Sequence, residues 1–173
     1  YVADYRTYLA TGGGTPENSL AYGNMEGGLS TIAEKALGSV AKGGTSALCW
    51  VNDYAELITE KGFGFMNTPA FDPASCTGQT AGGAQLGVFS TGAGSCFGGI
   101  LVPWLKVVSN SDTFERMEDM EINAGGIADG VDSFEDVGRA IFEYLLAMAS
   151  GAKTYSEKVG YSVVNIWDKG VTT

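Results

Sequence analysis

The stretch Gln85-Leu86-Gly87-Val88-Phe89-Ser90, followed by Thr91-Gly92-Ala93-Gly94-Ser95, decides the fold. A short apolar run bounded by turn residues reads as a buried strand. The Gly-rich loop behind it lets backbone approach a ligand closely. Working outward, Trp104-Leu105-Lys106-Val107-Val108 is a second strand of the same kind, closed by Ser109-Asn110-Ser111-Asp112. Residues 47–51 and 62–68 read as further strands, the latter ended by Pro69. Helical patterns lie between them. Leu29, Ile32, Ala33, Ala36, Leu37 and Val40 recur at three and four residues, with a capping box at Thr31 and Glu34 and a stop at Lys42-Gly43-Gly44. Asp72-Pro73 reads as an N-cap with proline at the first helical position, opening a small-residue helix over 72–82. Residues 113–117 read as a helical turn. The clearest helix runs from Ser133 to Ser150, with Phe134, Val137, Ile141, Tyr144, Leu145 and Met148 on one face. Strands alternating with helices predict the α/β class: a partly parallel sheet flanked by helices, an open sheet of Rossmann-like kind. Residues 1–28 read as irregular, 1–22 of them as a leader, and 152–173 as a tail packed on the body of a single domain spanning 1–173.

Composition narrows the chemistry. The chain has 173 residues, 45% hydrophobic and 17% charged, with 26 glycines in clusters that lack a collagen period. Ten basic residues against 20 acidic ones leave a formal charge of −10. That balance opposes nucleic-acid binding, which draws on basic side chains at phosphates, and it excludes a polybasic membrane anchor. Three well-separated cysteines, Cys49, Cys76 and Cys96, fit reduced thiols and a cytoplasmic location. The sequence contains no histidine, which removes the Ser-His-Asp triad, the Cys-His pair and the HExxH zinc site. The first residue is Tyr rather than Met, so the chain reads as a domain of a longer protein.

In an open α/β sheet, ligands bind outside the carboxyl ends of the strands. Three strand ends carry polar or Gly-rich residues: 68–72, 90–95 and 109–111. If the strands are neighbours, the loops converge and offer hydroxyls, amides and backbone N–H groups to an anion. The dinucleotide fingerprint fails, because residues 92–97 end in Phe97, and no Gly-Lys-Ser/Thr of a P-loop follows. Glu34 and Lys35 are adjacent on a helix and do not face each other, so either is a separate proton-transfer candidate. Lys106 in its strand points to solvent or guards a sheet edge; turned inward, it would bind a carboxylate. Glu115, Glu118, Asp119 and Glu121 read as a solvated acidic face, and Cys96 as an inert buried thiol.

Six blocks in order then resemble one family. Gly23-Asn24-Met25-Glu26-Gly27-Gly28-Leu29-Ser30-Thr31 with Glu34-Lys35-Ala36-Leu37-Gly38 is similar to the GN…GGLTT…EKALG block of the altronate/galactarate dehydratases. Lys42-Gly43-Gly44-Thr45, Thr68-Pro69-Ala70-Phe71-Asp72, Phe89 to Gly98, Pro103 with Lys106 and Asn110, and Glu121-Ile122-Asn123-Ala124-Gly125 resemble its later blocks. The resemblance covers about residues 23–151 and matches the C-terminal part of the family's enzymes. It implies dehydration of a sugar acid to a 2-keto-3-deoxy acid. It also implies a divalent metal of iron or manganese type, held mainly by the N-terminal part of the same enzyme, and a homo-oligomer. Asn24, Thr31, Thr91, Gly92, Lys106, Asn110 and Asn123 are the implied contacts of a small anionic hydroxy acid. Glu34, Lys35 and Asp72 are the implied acid/base groups. Ala93 stands where the family has an arginine, which changes how a substrate carboxylate could be held. Elimination of sulfite, as in the sulfolactate sulfo-lyase branch, and a non-catalytic assembly role are the alternatives.

Overall fold

The computed structural model describes residues 1–11, 20 and 22–168. The chain divides into two compact units. One comprises Tyr1–Asp53, Thr59–Asn67 and Trp167–Thr173, the other Tyr54–Ile58 and Thr68–Ile166.

The first unit contains α1 (Val2–Thr11), α2 (Tyr22–Glu26), α3 (Ile32–Ala41), β1 (Trp50–Asn52) and β2 (Gly64–Met66). Helices α1 and α2 correct the irregular reading of residues 1–28; residues 12–19 and 21 of that stretch lie outside the described residues. The α1 face was missed because its periodic residues are tyrosines rather than aliphatics. Thr31 caps α3 as expected, its side chain accepting from Glu34 N at 3.1 Å. The Glu34 carboxylate reaches back to Ser30, accepting from its N at 2.8 Å and its Oγ at 2.7 Å. No residue of these three helices is buried. Strands β1 and β2 pair in parallel, Trp50 opposite Gly64.

The second unit holds α4 (Asp72–Ala81), β3 (Gly87–Thr91), β4 (Trp104–Val108), α5 (Ser111–Arg116), β5 (Ile122–Asn123), α6 (Gly125–Ala128), α7 (Phe134–Ala149) and α8 (Tyr155–Val159). Its sheet has the order β3-β4-β5 and is parallel throughout, so the expected α/β class holds. Strand β4 is central, and all five of its residues are buried. Side chains alternate across a strand. Leu105 and Val107 therefore join Ile122 in one cluster against Val137 and Met148 of α7. Trp104 turns the other way, toward Phe97, Val102 and Cys76 of α4. Full burial of a side chain such as Leu105 contributes about 1.5–3 kcal/mol. The α7 stripe is the one its spacing predicts, and Ser133 caps it by accepting from Asp136 N. The cap of α4 differs from expectation. Phe71 occupies the N-cap position without a side-chain bond, and Asp72 is the first helical residue. In both sheets the first register pair is Trp with Gly: Trp50 with Gly64, and Trp104 with Gly87. A Cβ on Gly64 would lie 1.9 Å from the Trp50 ring, and one on Gly87 would lie 2.2 Å from that of Trp104.

Candidate functional site at the carboxyl ends of the strands

Within the second unit the three loops do meet. Ser95 Oγ, in the loop after β3, donates to Asp72 Oδ2 at 3.3 Å, which links the glycine-rich loop to the start of α4. Ser109, just past β4, donates its backbone N–H to Thr91 O at 2.9 Å. Asn123, at the end of β5, donates from Nδ2 to Ser111 Oγ at 3.1 Å and accepts from Gly125 N at 2.8 Å. Ser111 Oγ in turn donates to Asp129 Oδ2 at 2.6 Å. These polar groups line one edge of the sheet, where parallel strands present their carboxyl ends. Gly125 makes part of that closeness possible. A Cβ there would stand 2.4 Å from the Ser111 backbone nitrogen.

Lys106 overturns both of its solvent-facing readings. Because β4 is the central strand, there is no edge to guard, and Lys106 is 1% exposed. Its Nζ forms an ion pair with Asp119 and donates to Ser95 O at 3.3 Å. The inward alternative holds, with a carboxylate of the same chain as partner. Asp72, Ser95, Lys106 and Asp119 thus form one continuous polar chain, running from the start of α4 to the buried strand. Asp119 and Glu121 consequently leave the predicted acidic surface. Glu121 accepts from Lys106 N at 2.8 Å and from Tyr155 N at 2.9 Å, stapling β4 to the start of α8. Glu118 stays outside, where its charge raises the pKa of the Tyr155 phenol.

The other candidates carry local duties. Thr91 Oγ1 donates to Gly94 O at 3.1 Å, and Gly92 is exposed. Asn110 is the N-cap of α5, accepting from Thr113 N at 2.8 Å. Asn24, Thr31, Glu34 and Lys35 belong to the first unit: Asn24 half-buried in α2, Lys35 exposed on α3. The Ser30 backbone and hydroxyl hydrogen bonds hold the Glu34 carboxyl below its ordinary pKa. Cys96 is exposed, contrary to the buried reading, whereas Cys76 is buried. Burial, helped by the nearby Asp72 charge, pushes the Cys76 thiol up to about 12. Ser95, Ser109 and Ser111 lie in the loops expected to converge without being singled out there, and Asp119 was read only as acidic surface. The convergence of strand ends was the signal for the three serines; nothing local marked Asp119.

Among the described residues no three His, Cys, Asp or Glu side chains come together as metal ligands. The described residues therefore offer no three-ligand site that fits the implied divalent metal. No helix of the described residues is long and apolar enough to cross a membrane.

A parallel sheet packed between helices, with hydroxyls and amides gathered at its carboxyl end, defines an α/β domain. The family model for D-galactarate/altronate dehydratase, C-terminal, matches residues 1–172, and the chain belongs to that family. It is 39% identical over 158 residues to galactarate dehydratase (L-threo-forming) of Escherichia coli (strain K12), covering 90% of this chain and 30% of that protein. It is 34% identical over 151 residues to altronate dehydratase of Bacillus subtilis (strain 168), covering 87% and 30%. It is 33% identical over 147 residues to (2R)-sulfolactate sulfo-lyase subunit beta of Chromohalobacter salexigens, covering 84% and 38%. The chain therefore spans 30–38% of the length of these relatives.

Proposed function

We propose that this chain is the C-terminal domain of a sugar-acid dehydratase acting on an acid such as galactarate or altronate. The observation that carries the reading is the 39% identity, across 90% of the chain, to a galactarate dehydratase. In this reaction a proton leaves the carbon next to a carboxylate, the β-hydroxyl departs as water, and the enol becomes a 2-keto-3-deoxy acid. The loops after β3, β4 and β5, with Asp72, Thr91, Gly92, Asn110 and Asn123, bind the substrate's hydroxyls. In the first unit, taken by itself, Asn24 and Thr31 are the candidate substrate contacts and Glu34 or Lys35 the candidate acid/base group. Lys106 supports the glycine-rich loop from beneath. Its charge is already matched by Asp119, and the chain carries a formal charge of −10. On this reading further cations for the substrate's carboxylates, and any metal, come from the remaining length of the enzyme, which makes that part the domain's first partner.

A chimera tests this. The matching segment of the E. coli galactarate dehydratase is replaced by this chain, and keto-acid formation from galactarate and altronate is followed beside sulfite release from (2R)-sulfolactate. Keto acid from a sugar acid is expected, whereas the 173-residue chain alone is expected to be inactive. A folded chimera that turns over no sugar acid refutes the reading, and sulfite release alone favours the sulfo-lyase branch suggested by the 33% relative. Lys35→Ala in the chimera separates a site from a scaffold: turnover falls with assembly intact if the residue acts chemically, and is unchanged if the domain only supports assembly.

A further inference from the structure

Helix α7 carries more apolar surface than its own unit covers. One face, with Val137, Ile141, Tyr144, Leu145 and Met148, packs against the sheet. Beside it runs a second row at four-residue steps: Phe134, Gly138, Phe142 and Leu146. Such i, i+4 neighbours lie on one side of a helix. Phe134 is 81% exposed, Phe142 60% and Leu146 53%, and Gly138 is exposed between them. The three side chains present roughly 350 Å² of contiguous apolar surface. Single apolar residues on a surface are ordinary, whereas a patch of this size marks a place of interaction.

Gly138 gives the row its shape. Glycine is the poorest helix former after proline, and nothing within this chain calls for it there: a Cβ at 138 would meet no atom within 4 Å. It leaves a notch in an apolar row, and the row itself supplies what fills a notch. Gly138 and Phe142, and likewise Phe134 and Leu146, lie symmetrically about Ala140. In two antiparallel copies related by a two-fold axis at that residue, Gly138 faces the partner's Phe142 and Phe134 faces the partner's Leu146. Each contact is then made twice, as an isologous interface requires. Arg139 and Glu135 flank the row and pair with each other at 3.3 Å, so no lone charge is trapped beneath it. With these flanks the two copies hide on the order of 1,000 Å², the lower limit of a specific interface, which makes the association weak. The formal charge of −10 on each copy opposes pairing, and salt screens that repulsion. We infer that two copies of this chain pair through this face of α7, antiparallel about Ala140, with Phe142 seated over the partner's Gly138. The inference is independent of the proposed dehydratase activity.

The test is sedimentation equilibrium of the 173-residue chain through the micromolar range, at about 0.15 M salt. A reversible equilibrium between monomer and dimer is expected. Phe142→Ala should raise its Kd about tenfold or more, because both copies lose the ring, and Gly138→Leu should abolish the dimer. Gly138→Ala sets two readouts against each other. In the dilute monomer its methyl enters open space and favours the helix, so Tm should rise by about 2–4 °C. In the dimer the same methyl meets the partner's Phe142, so Kd should rise as well. Circular dichroism at dilution checks that each variant is folded. A chain that stays monomeric at the highest concentration overturns the inference. So does a dimer whose Kd Phe142→Ala and Gly138→Leu leave unchanged, or a Gly138→Ala chain that melts lower at dilution.

Discussion

Replacing Lys106 by Met is the sharpest test of the polar chain beneath the sheet edge. Methionine keeps most of the aliphatic stem, so packing beside Trp104 is largely preserved. What goes is the ammonium group, and with it the partner of Asp119 and the donor to Ser95 O. Removing one member of a buried ion pair costs about 3–5 kcal/mol, because the other charge stays behind unmatched. The Asp119 side chain is 22% exposed, so water reaches it in part and the lower end applies. The stranded Ser95 carbonyl adds about 1 kcal/mol. A loss of roughly 3–4 kcal/mol corresponds to a Tm lower by about 6–16 °C in a chain of this size. Replacing both partners, Lys106→Met with Asp119→Leu, should recover much of the loss, since an apolar pair leaves no orphan charge. Urea unfolding of the four proteins completes the double-mutant cycle. If Lys106→Met unfolds within about 0.5 kcal/mol of the parent, a typical surface effect, the pair does not hold the strand and the argument built on it fails.

Further outcomes follow from the burial, glycine contacts and helix caps. Native chain treated with iodoacetamide near neutral pH should gain adducts at exposed Cys49 and Cys96 but not at Cys76, with mass spectrometry as the readout. The Cys76 thiol also sets a direction with pH: its folded pKa of about 12 lies above an ordinary value of 9.0. The unfolded chain therefore releases that proton first, and the contribution to stability should fall as pH rises from about 9 to 12. Gly125→Ala should destabilise by about 1–3 kcal/mol, because its Cβ would press on the Ser111 backbone. Gly92→Ala, whose Cβ would meet nothing closer than 3.7 Å, should be near neutral in the same thermal melt. Thr31→Ala should cost α3 about 1 kcal/mol. The Glu34 carboxyl, held low by Ser30, should support that helix above pH 4.5 and release it as pH falls through the depressed value, seen as lost ellipticity at acid pH.

Much of the second unit was legible in its residues. Strand β4 runs over Trp104–Val108 as read, and α7 follows its apolar stripe, because burial on both faces or on one face writes a period into the sequence. Strands β1 and β2 came out shorter than the runs that predicted them, since local patterning does not show where a partner strand ends. Helix α1 escaped because tyrosines and threonines do not make an aliphatic stripe. At the site, the meeting of the three loops could be argued from the rule for parallel sheets. The burial of Lys106 could not: it depends on β4 being the middle strand, and its partner Asp119 lies 13 residues away in a segment that looks like ordinary acidic surface. The Asp72 role was misassigned because a capping residue and the residue after it look alike in sequence, and only the backbone, extended at Phe71 and helical from Asp72, distinguishes them.

The indole rings laid over Gly64 and Gly87 carry an evolutionary constraint. A slip of one residue in either pairing would drive Phe63 or Phe65 beneath Trp50, or Leu86 or Val88 beneath Trp104, so each ring rejects alignments that backbone hydrogen bonding alone would accept. The glycine of each pair is therefore not free to drift while its tryptophan stays. A methyl group gained at the glycine is tolerated only after the tryptophan has given way to something smaller, so descendants of this sequence should not carry a larger residue at the glycine while the tryptophan remains.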